Sequence, residues 1–401
     1  MTAQFAQALT SFVLHLAASR QLGPSGLAVF ALLYSGVILA TAISTGMVGD
    51  SLTVLPRSRA SVRGGLQVVG AVIAVGSAVV GAIAVFALGL LELWPSLLFG
   101  AVIAVFVLED LARRLLMASL KFWSLVATDG SALVLTLGWI FGSYLLNGRL
   151  SMTDLLLALL AGQCAGLVTA VGSLPAVERH FAPWRSADVR SVVRYGSWRA
   201  AQQAVRPATL AATRGIAIVA VGAVLFGQLE AARVYVAPAL LMINGIAVFL
   251  FSSYASQRDR TRRQLLRRAD VSAVALSGTA LLLGLAAVAV LPLAGTIITA
   301  DAFDLDVVAV IGWVVYAACT ALLTPYGGLA AVSGAHRQVF TVRVAESCVS
   351  LLAVFVVLFV FGFSVSWVPY ALSPGTLASG LFIRQFYIVR GFDLDAQIDR
   401  T

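Results

Sequence analysis

Charge is scarce in this chain. Only 11% of its 401 residues are charged, it has three histidines and three cysteines, and Lys121 is its one lysine among 27 basic residues. Average soluble domains carry about 25% charged residues, so this chain cannot coat a soluble surface of its size. The cysteines, Cys164, Cys319 and Cys348, stand in apolar context with neither Cys-x-x-Cys spacing nor histidine neighbours. That pattern excludes a disulfide framework or zinc site and predicts free buried thiols. Walker loops, Gly-x-Ser-x-Gly elbows and metal-spaced clusters are missing too, so the sequence offers no nucleotide hydrolysis and no hydrolase triad. The expectation is a chain with no catalytic residue, metal or cofactor.

Apolar residues fill the gap. They make up 60% of the chain, and the mean hydropathy is +0.96. About 20 apolar residues cross the roughly 30 Å hydrocarbon layer as a helix. Runs of that kind lie near 2–18, 27–48, 65–91, 95–117, 121–145, 153–175, 199–223, 231–254, 271–293, 305–327, 338–361 and 365–388. The predicted fold is therefore an all-α polytopic membrane protein of twelve spans. The first run lacks a basic start and a small-residue cleavage site, so it reads as a retained span.

The basic residues report sidedness. Of the 27, 22 fall at the even-numbered loops and the C-terminal end, three (Arg20, Arg149, Arg233) at odd-numbered loops, and two inside span seven. By the positive-inside rule both termini are cytoplasmic. The net charge of +9 thus records topology; nucleic acid is not among the expected partners, because the arginines punctuate apolar spans instead of forming one basic face.

Three parts follow: a six-helix lobe over 1–175, a cytoplasmic linker over 176–198 and a second six-helix lobe over 199–401. In the linker, Ser186 is the expected N-cap of a short interfacial helix, with Arg190 and Arg194 towards water and lipid phosphates; a solvated basic linker is the plain alternative. The halves echo each other. "GPSGLAVFALLYSGVILATAISTGMVGDSLTVLPRSR" (23–59) pairs with "GQLEAARVYVAPALLMINGIAVFLFSSYASQRDR" (227–260), and "MASLKFWSLVATDGSALVL" (117–135) with "AVSGAHRQVFTVRVAESCVSLL" (331–352). A duplication of six spans gives two parallel lobes with a cavity between them.

Span seven poses the central question, because it carries Arg206 and Arg214 within an apolar run. Arg199, Gln203 and Arg206 share a face, Arg214 is turned by about 80°, and Pro207 is expected to kink the helix. An arginine at mid-membrane costs roughly 2.5–3.5 kcal/mol even on the lenient scale. Either the two arginines face a wet cavity and hold an anion, or each pairs with a buried carboxylate. Few acids stand nearby: Glu109 and Asp110 have Arg113 and Arg114 at i+4, Glu346 has Arg343 at three residues, and Asp129 remains. These pairs are helix-stabilising in the simplest reading and gates in the other. Span one contributes Gln7 and His15 at comparable depth, and His15 is either a cavity ligand or a satisfied interior residue.

"RQLGPSGLAVFALLYSGVIL" (20–39), "LLMASLKFWSLVATDGSALVL" (115–135), "VRYGSWRAA" (193–201) and "AVSGAHRQVF" (331–340) together resemble the polysaccharide-exporting flippases of the multidrug/oligosaccharidyl-lipid/polysaccharide (MOP) exporter superfamily, which also contains lipid II flippases. The resemblance spans nearly the whole chain. It implies two six-helix lobes around a cationic cavity, with Arg206 and Arg214 on the charged first helix of the second lobe. The chain departs from some lipid II relatives in lacking two C-terminal spans. The implied activity is flipping of a polyprenyl-diphosphate-linked saccharide across a bacterial cytoplasmic membrane by alternating access, with membrane lipids and glycosyltransferases or a polymerase of the same pathway as partners. The alternatives are a cation or drug antiporter of the same superfamily, which would want a titratable carboxylate in span one or seven, and a membrane glycosyltransferase or polymerase. A major-facilitator transporter is set aside, since "GDSLTVLPRSRASVRGG" lacks that family's loop signature.

Overall fold

In the computed structural model the described residues are 2–56, 59–179, 184–256, 262–299, 303, 305–332 and 336–389. They are helical almost throughout. The helices are α1 (Thr2–Gln21), α2 (Gly23–Ser44), α3 (Asp50–Val54), α4 (Ala60–Ala87), α5 (Leu93–Ala118), α6 (Phe122–Asn147), α7 (Met152–Ser173), α8 (Ala176–Arg179), α9 (Val189–Ser256), α10 (Arg262–Thr299), α11 (Val307–Val332), α12 (His336–Phe355) and α13 (Val368–Phe382). A π-helical turn, Thr45–Gly49, joins α2 to α3, so these form one rod. The backbone of α9 leaves helical values at Gly222 (φ 84°, ψ 162°), so α9 is two helices. With α8 set aside as four residues, twelve rods result, matching the twelve expected spans in order. Nine helices among the described residues are long and apolar enough to cross a membrane, with α9 counted once.

Local chemistry sets the boundaries. Pro24 sits in the first turn of α2, where its missing N–H costs nothing. Ser151 and Asp154 close a reciprocal capping box on α7. Gly148 ends α6 in the left-handed conformation that a side chain would strain (φ 69°). The start of α9 differs from expectation. Asp188, not Ser186, caps it, accepting from the Ser191 amide at 3.1 Å, and residues 189–198 are the first turns of the long α9 instead of a separate short helix. Helical backbone also persists through Pro207, and the break comes at Gly222.

The chain divides into two compact units, Met1–Ala211 and Ala212–Thr401. In unit 1, α4 packs on α5, α6 on α7, α5 on α7, and α1 on α2 and α6. In unit 2, α10, α12 and α13 pack around α11. Small residues bring the helices together, as they must where lipid removes the hydrophobic drive between helices. Leu276, Ala280, Ala317, Ala318 and Ala321 form one such seam, and a Cβ on Gly162 would stand 2.0 Å from Thr136 Oγ1. Among the described residues the three cysteines are free, as expected, but Cys164 and Cys348 are exposed on helix surfaces instead of buried.

Candidate functional site

Among the described residues, a dense group of buried charges lies inside unit 1, on spans four and five. Glu109, Asp110, Arg113 and Asp129 are all at most 4% exposed. Positions 109, 110, 113 and 114 occupy adjacent turns of α5, which brings three carboxylates, counting Asp129 from α6, against two guanidinium groups. The expected Asp110–Arg114 pair forms at 2.7 Å, and Thr45 on the π turn donates to the same carboxylate at 3.3 Å. The expected Glu109–Arg113 pair is looser, at 3.6 Å. Arg113 turns to Asp129, with Nε 2.7 Å from Oδ1 and Nη2 donating to Oδ2 at 3.0 Å. Asp129, the acid left over for span seven, is therefore committed elsewhere. Five buried or half-buried charges with one carboxylate in excess form a costly cluster that persists only because its members satisfy one another.

A small cavity opens onto this cluster. Gln7, Thr10 and Tyr34 line it from α1 and α2, Glu109 and Asp129 from α5 and α6, and Gln163 from α7; about 10 Å³ of it admits the centre of a water molecule, room for a single water. Gln163 is 6% exposed, and its Oε1 has no hydrogen-bond donor among the described residues. Gln7 lines this cavity, whose charge comes from spans four and five and to which span seven contributes no residue. His15 is not in its lining. It is buried, shares a 2.8 Å hydrogen bond between Nδ1 and the Ser11 carbonyl, and meets Phe30 and Tyr34 edge-on at 5.2 and 4.9 Å. That is the satisfied interior role.

The span-seven residues separate. Arg199 reaches across to span two, with Nη2 2.8 Å from Asp50 Oδ2, and donates to Gln202 Oε1 at 2.8 Å. Gln203, the neighbour expected beside it, is exposed. Arg206 is exposed and makes no ion pair among the described residues. Arg214, in unit 2, pairs with Glu230 at 3.2 Å, and Arg233 takes the same carboxylate oxygen at 2.5 Å. Glu230 is 1% exposed. The sequence places Arg233 in an odd-numbered loop, apart from Arg214, because it records only distance along the chain. The turn at Gly222 folds span eight back along span seven, so residues eight before and eight after it come level.

Two further pairs complete unit 2. Glu346 accepts from Ser379 Oγ at 2.9 Å, joining α12 to α13, while a Cβ on Gly327 of α11 would come 3.1 Å from an Arg343 nitrogen. Arg384 grips Asp270 through two hydrogen bonds of 2.7 and 2.9 Å, with Tyr326 donating to the same acid at 2.9 Å. No sequence motif marked this group, whose members are 56 to 114 residues apart.

Solved structures match this arrangement over the full chain. A multidrug resistance MATE family transporter of the MOP superfamily, in an inward-facing conformation, matches with TM-score 0.67 at 13% identity, covering 97% of this chain and 96% of that one. This chain shares the fold of that transporter. A MATE structure in a straight conformation matches with TM-score 0.66 at 15% identity, covering 100% and 95%. A MOP superfamily transporter from Pyrococcus furiosus, described by the reversed polarity of its binding pocket, matches with TM-score 0.64 at 15% identity, covering 97% and 93%. No family model and no curated protein matches the chain. The MOP fold accounts for the twelve rods and the two units.

Proposed function

We propose that this chain is a secondary transporter of a bacterial cytoplasmic membrane, working by alternating access with both termini on the cytoplasmic side. The observation that carries the reading is full-length likeness to MOP-fold transporters, at 97% and 96% coverage for the inward-facing one. Binding and conformational change suffice for such a protein; chemistry on the cargo is not needed.

Two sites bear on the cargo. The small-molecule exporter reading draws on unit 1, where Glu109 and Asp129 line a polar cavity facing span one. That reading wants a titratable carboxylate in span one or seven; the carboxylates of spans four and five, in a cavity that span one also lines, support it in another form. An excess carboxylate in a buried site suits a proton or a small cation as coupling partner. The flippase reading draws on Arg206, exposed and without an ion pair among the described residues on a span that would otherwise bury it. A guanidinium so placed suits a diphosphate, which it can bind through charge-assisted hydrogen bonds. Arg214, already on Glu230, serves that role less well than the sequence suggested.

Purified protein in liposomes separates the readings. Efflux of a cationic dye driven by a pH or sodium gradient, lost in Glu109→Gln and kept in Arg206→Ala, supports the small-molecule exporter. Translocation of a fluorescent polyprenyl-diphosphate saccharide, with the opposite sensitivity, supports the flippase. Movement of neither cargo under any imposed gradient overturns the transporter reading.

A further inference from the structure

The first turns of α9 have two unlike faces. Val192, Gly196 and Ala200 are buried. Val192 packs with Val48, Leu52, Val62, Leu66 and Val69 of spans two and three. The approach at Gly196 and Ala200 is backbone to backbone: a Cβ on Gly196 would stand 2.2 Å from the Met47 carbonyl oxygen, and one on Gly46 would stand 2.4 Å from the Ala200 amide nitrogen. The Arg199–Asp50 pair fastens the same crossing at 2.8 Å. The rotation of this helix about its axis is therefore fixed.

On the opposite face Arg190, Val193, Arg194, Ser197 and Trp198 are exposed, at spacings of three, one, three and one that keep them on one stripe. Immediately before it, Trp184 is 73% exposed, with the Arg185 guanidinium 5.6 Å over its ring. The start of α4 packs here, where the Asp188 amide donates to the Ser61 carbonyl at 2.9 Å, and brings Arg59 and Arg63. Among the described residues acids offset these five arginines only in small part, through a coulombic interaction of Asp188 with Arg194 that is the least of the influences on that carboxyl. Asp188 is turned to the Ser191 amide as a helix cap, and Asp50 is held by Arg199. Arginine and tryptophan exposed together at a membrane-helix end match the two layers of a bilayer surface, phosphate outside and ester region beneath.

We propose that this stripe is a binding site for anionic phospholipid headgroups, with Arg190 and Arg194 on the phosphate and Trp184 and Trp198 seated at the level of the ester groups. The site is independent of which cargo the protein moves. A helix already locked against spans two and three pays little ordering cost when a lipid docks, so binding distinguishes headgroups instead of merely tolerating the membrane.

The test is native mass spectrometry of the detergent-purified chain titrated with dioleoyl phosphatidylglycerol or dioleoyl phosphatidylcholine. Wild-type protein is expected to retain phosphatidylglycerol preferentially. The double variant Arg190→Gln/Arg194→Gln is expected to bind it about thirtyfold more weakly, from roughly 1 kcal/mol per arginine at an anionic surface. Arg149→Gln/Arg337→Gln, the same loss of charge at exposed positions elsewhere, should leave it unchanged. Trp184→Leu/Trp198→Leu should weaken both lipids alike. All six positions are exposed, so unchanged melting temperatures verify folding. Equal retention of the two lipids by wild-type protein, or undiminished phosphatidylglycerol binding by the first double variant, overturns the proposal.

Discussion

Gly196 and Asp129 illustrate how single residues carry this fold. Where a Cβ on Gly196 would lie 2.2 Å from a carbonyl oxygen, no rotamer change relieves the clash, because the obstacle is backbone. Gly196→Ala is expected to destabilise unit 1 by about 1–3 kcal/mol through forced separation of α9 from span two. Gly138→Ala, in the interior of α6 with nothing within 4 Å of the added atom, should instead stabilise by about 0.5–1 kcal/mol through helix propensity. Thermal unfolding in one detergent compares the two, and equal behaviour would show that the crossing is loose. For the buried ions, Arg113→Met alone leaves Asp129 and Glu109 uncompensated and should cost about 3–5 kcal/mol; Arg113→Met/Asp129→Asn should recover part of that loss. A double variant less stable than the single would mean that the 2.7 Å contact contributes little. The sequence named Glu109, Asp110, Arg113 and Arg114 as partners by i+4 spacing, which a helix does enforce. It could not see that Arg113 prefers Asp129, sixteen residues on, since that depends on how α6 is rotated against α5.

Individual helices were the most legible level. Each span came from a run of apolar residues, and some boundaries from a proline, glycine or capping side chain acting within four residues, as at Pro24, Gly148 and Ser151. The misplaced cap on α9 is instructive: Ser186 and Asp188 are both good caps, and the choice fell to Asp188 because its amide bonds to Ser61 on α4, a contact outside any local window. Hydrogen bonds from Ser191, through its side chain and then its amide, hold the Asp188 carboxyl below the usual carboxylate range. The carboxylate therefore binds protons less readily when folded than when unfolded. Its stabilisation is complete above the free aspartate value of about 4 and is lost as pH falls through the lower folded value. Melting temperatures of wild type and Asp188→Ala should differ at pH 7 and converge as the pH is lowered below about 4. A gap that persists under acid would assign the effect to something other than this charge.

For the molecule as a whole, span seven shows how far charge placement and function are linked. Arg206, exposed and without an ion pair among the described residues, should be replaceable by alanine without loss of stability, while transport of an anionic cargo falls by about tenfold to a hundredfold, the worth of a charged hydrogen bond. Arg214→Ala should instead lower the melting temperature, because it strips one of two guanidiniums from buried Glu230. Transport and unfolding measured on the same preparations check both, and an Arg206→Ala protein that unfolds early would recast that residue as structural. The amino-acid sequence by itself determined the number and order of the helices. Hydropathy and capping are sums over neighbouring residues, and the membrane acts on each span separately. Tertiary structure alone decided which charges meet between helices. Arg113 chose Asp129, Arg214 chose Glu230, Arg199 chose Asp50 and Arg384 chose Asp270, because a pair between two helices forms only where their rotation and depth bring a guanidinium within about 3 Å of a carboxylate, and neither quantity is written in either helix alone.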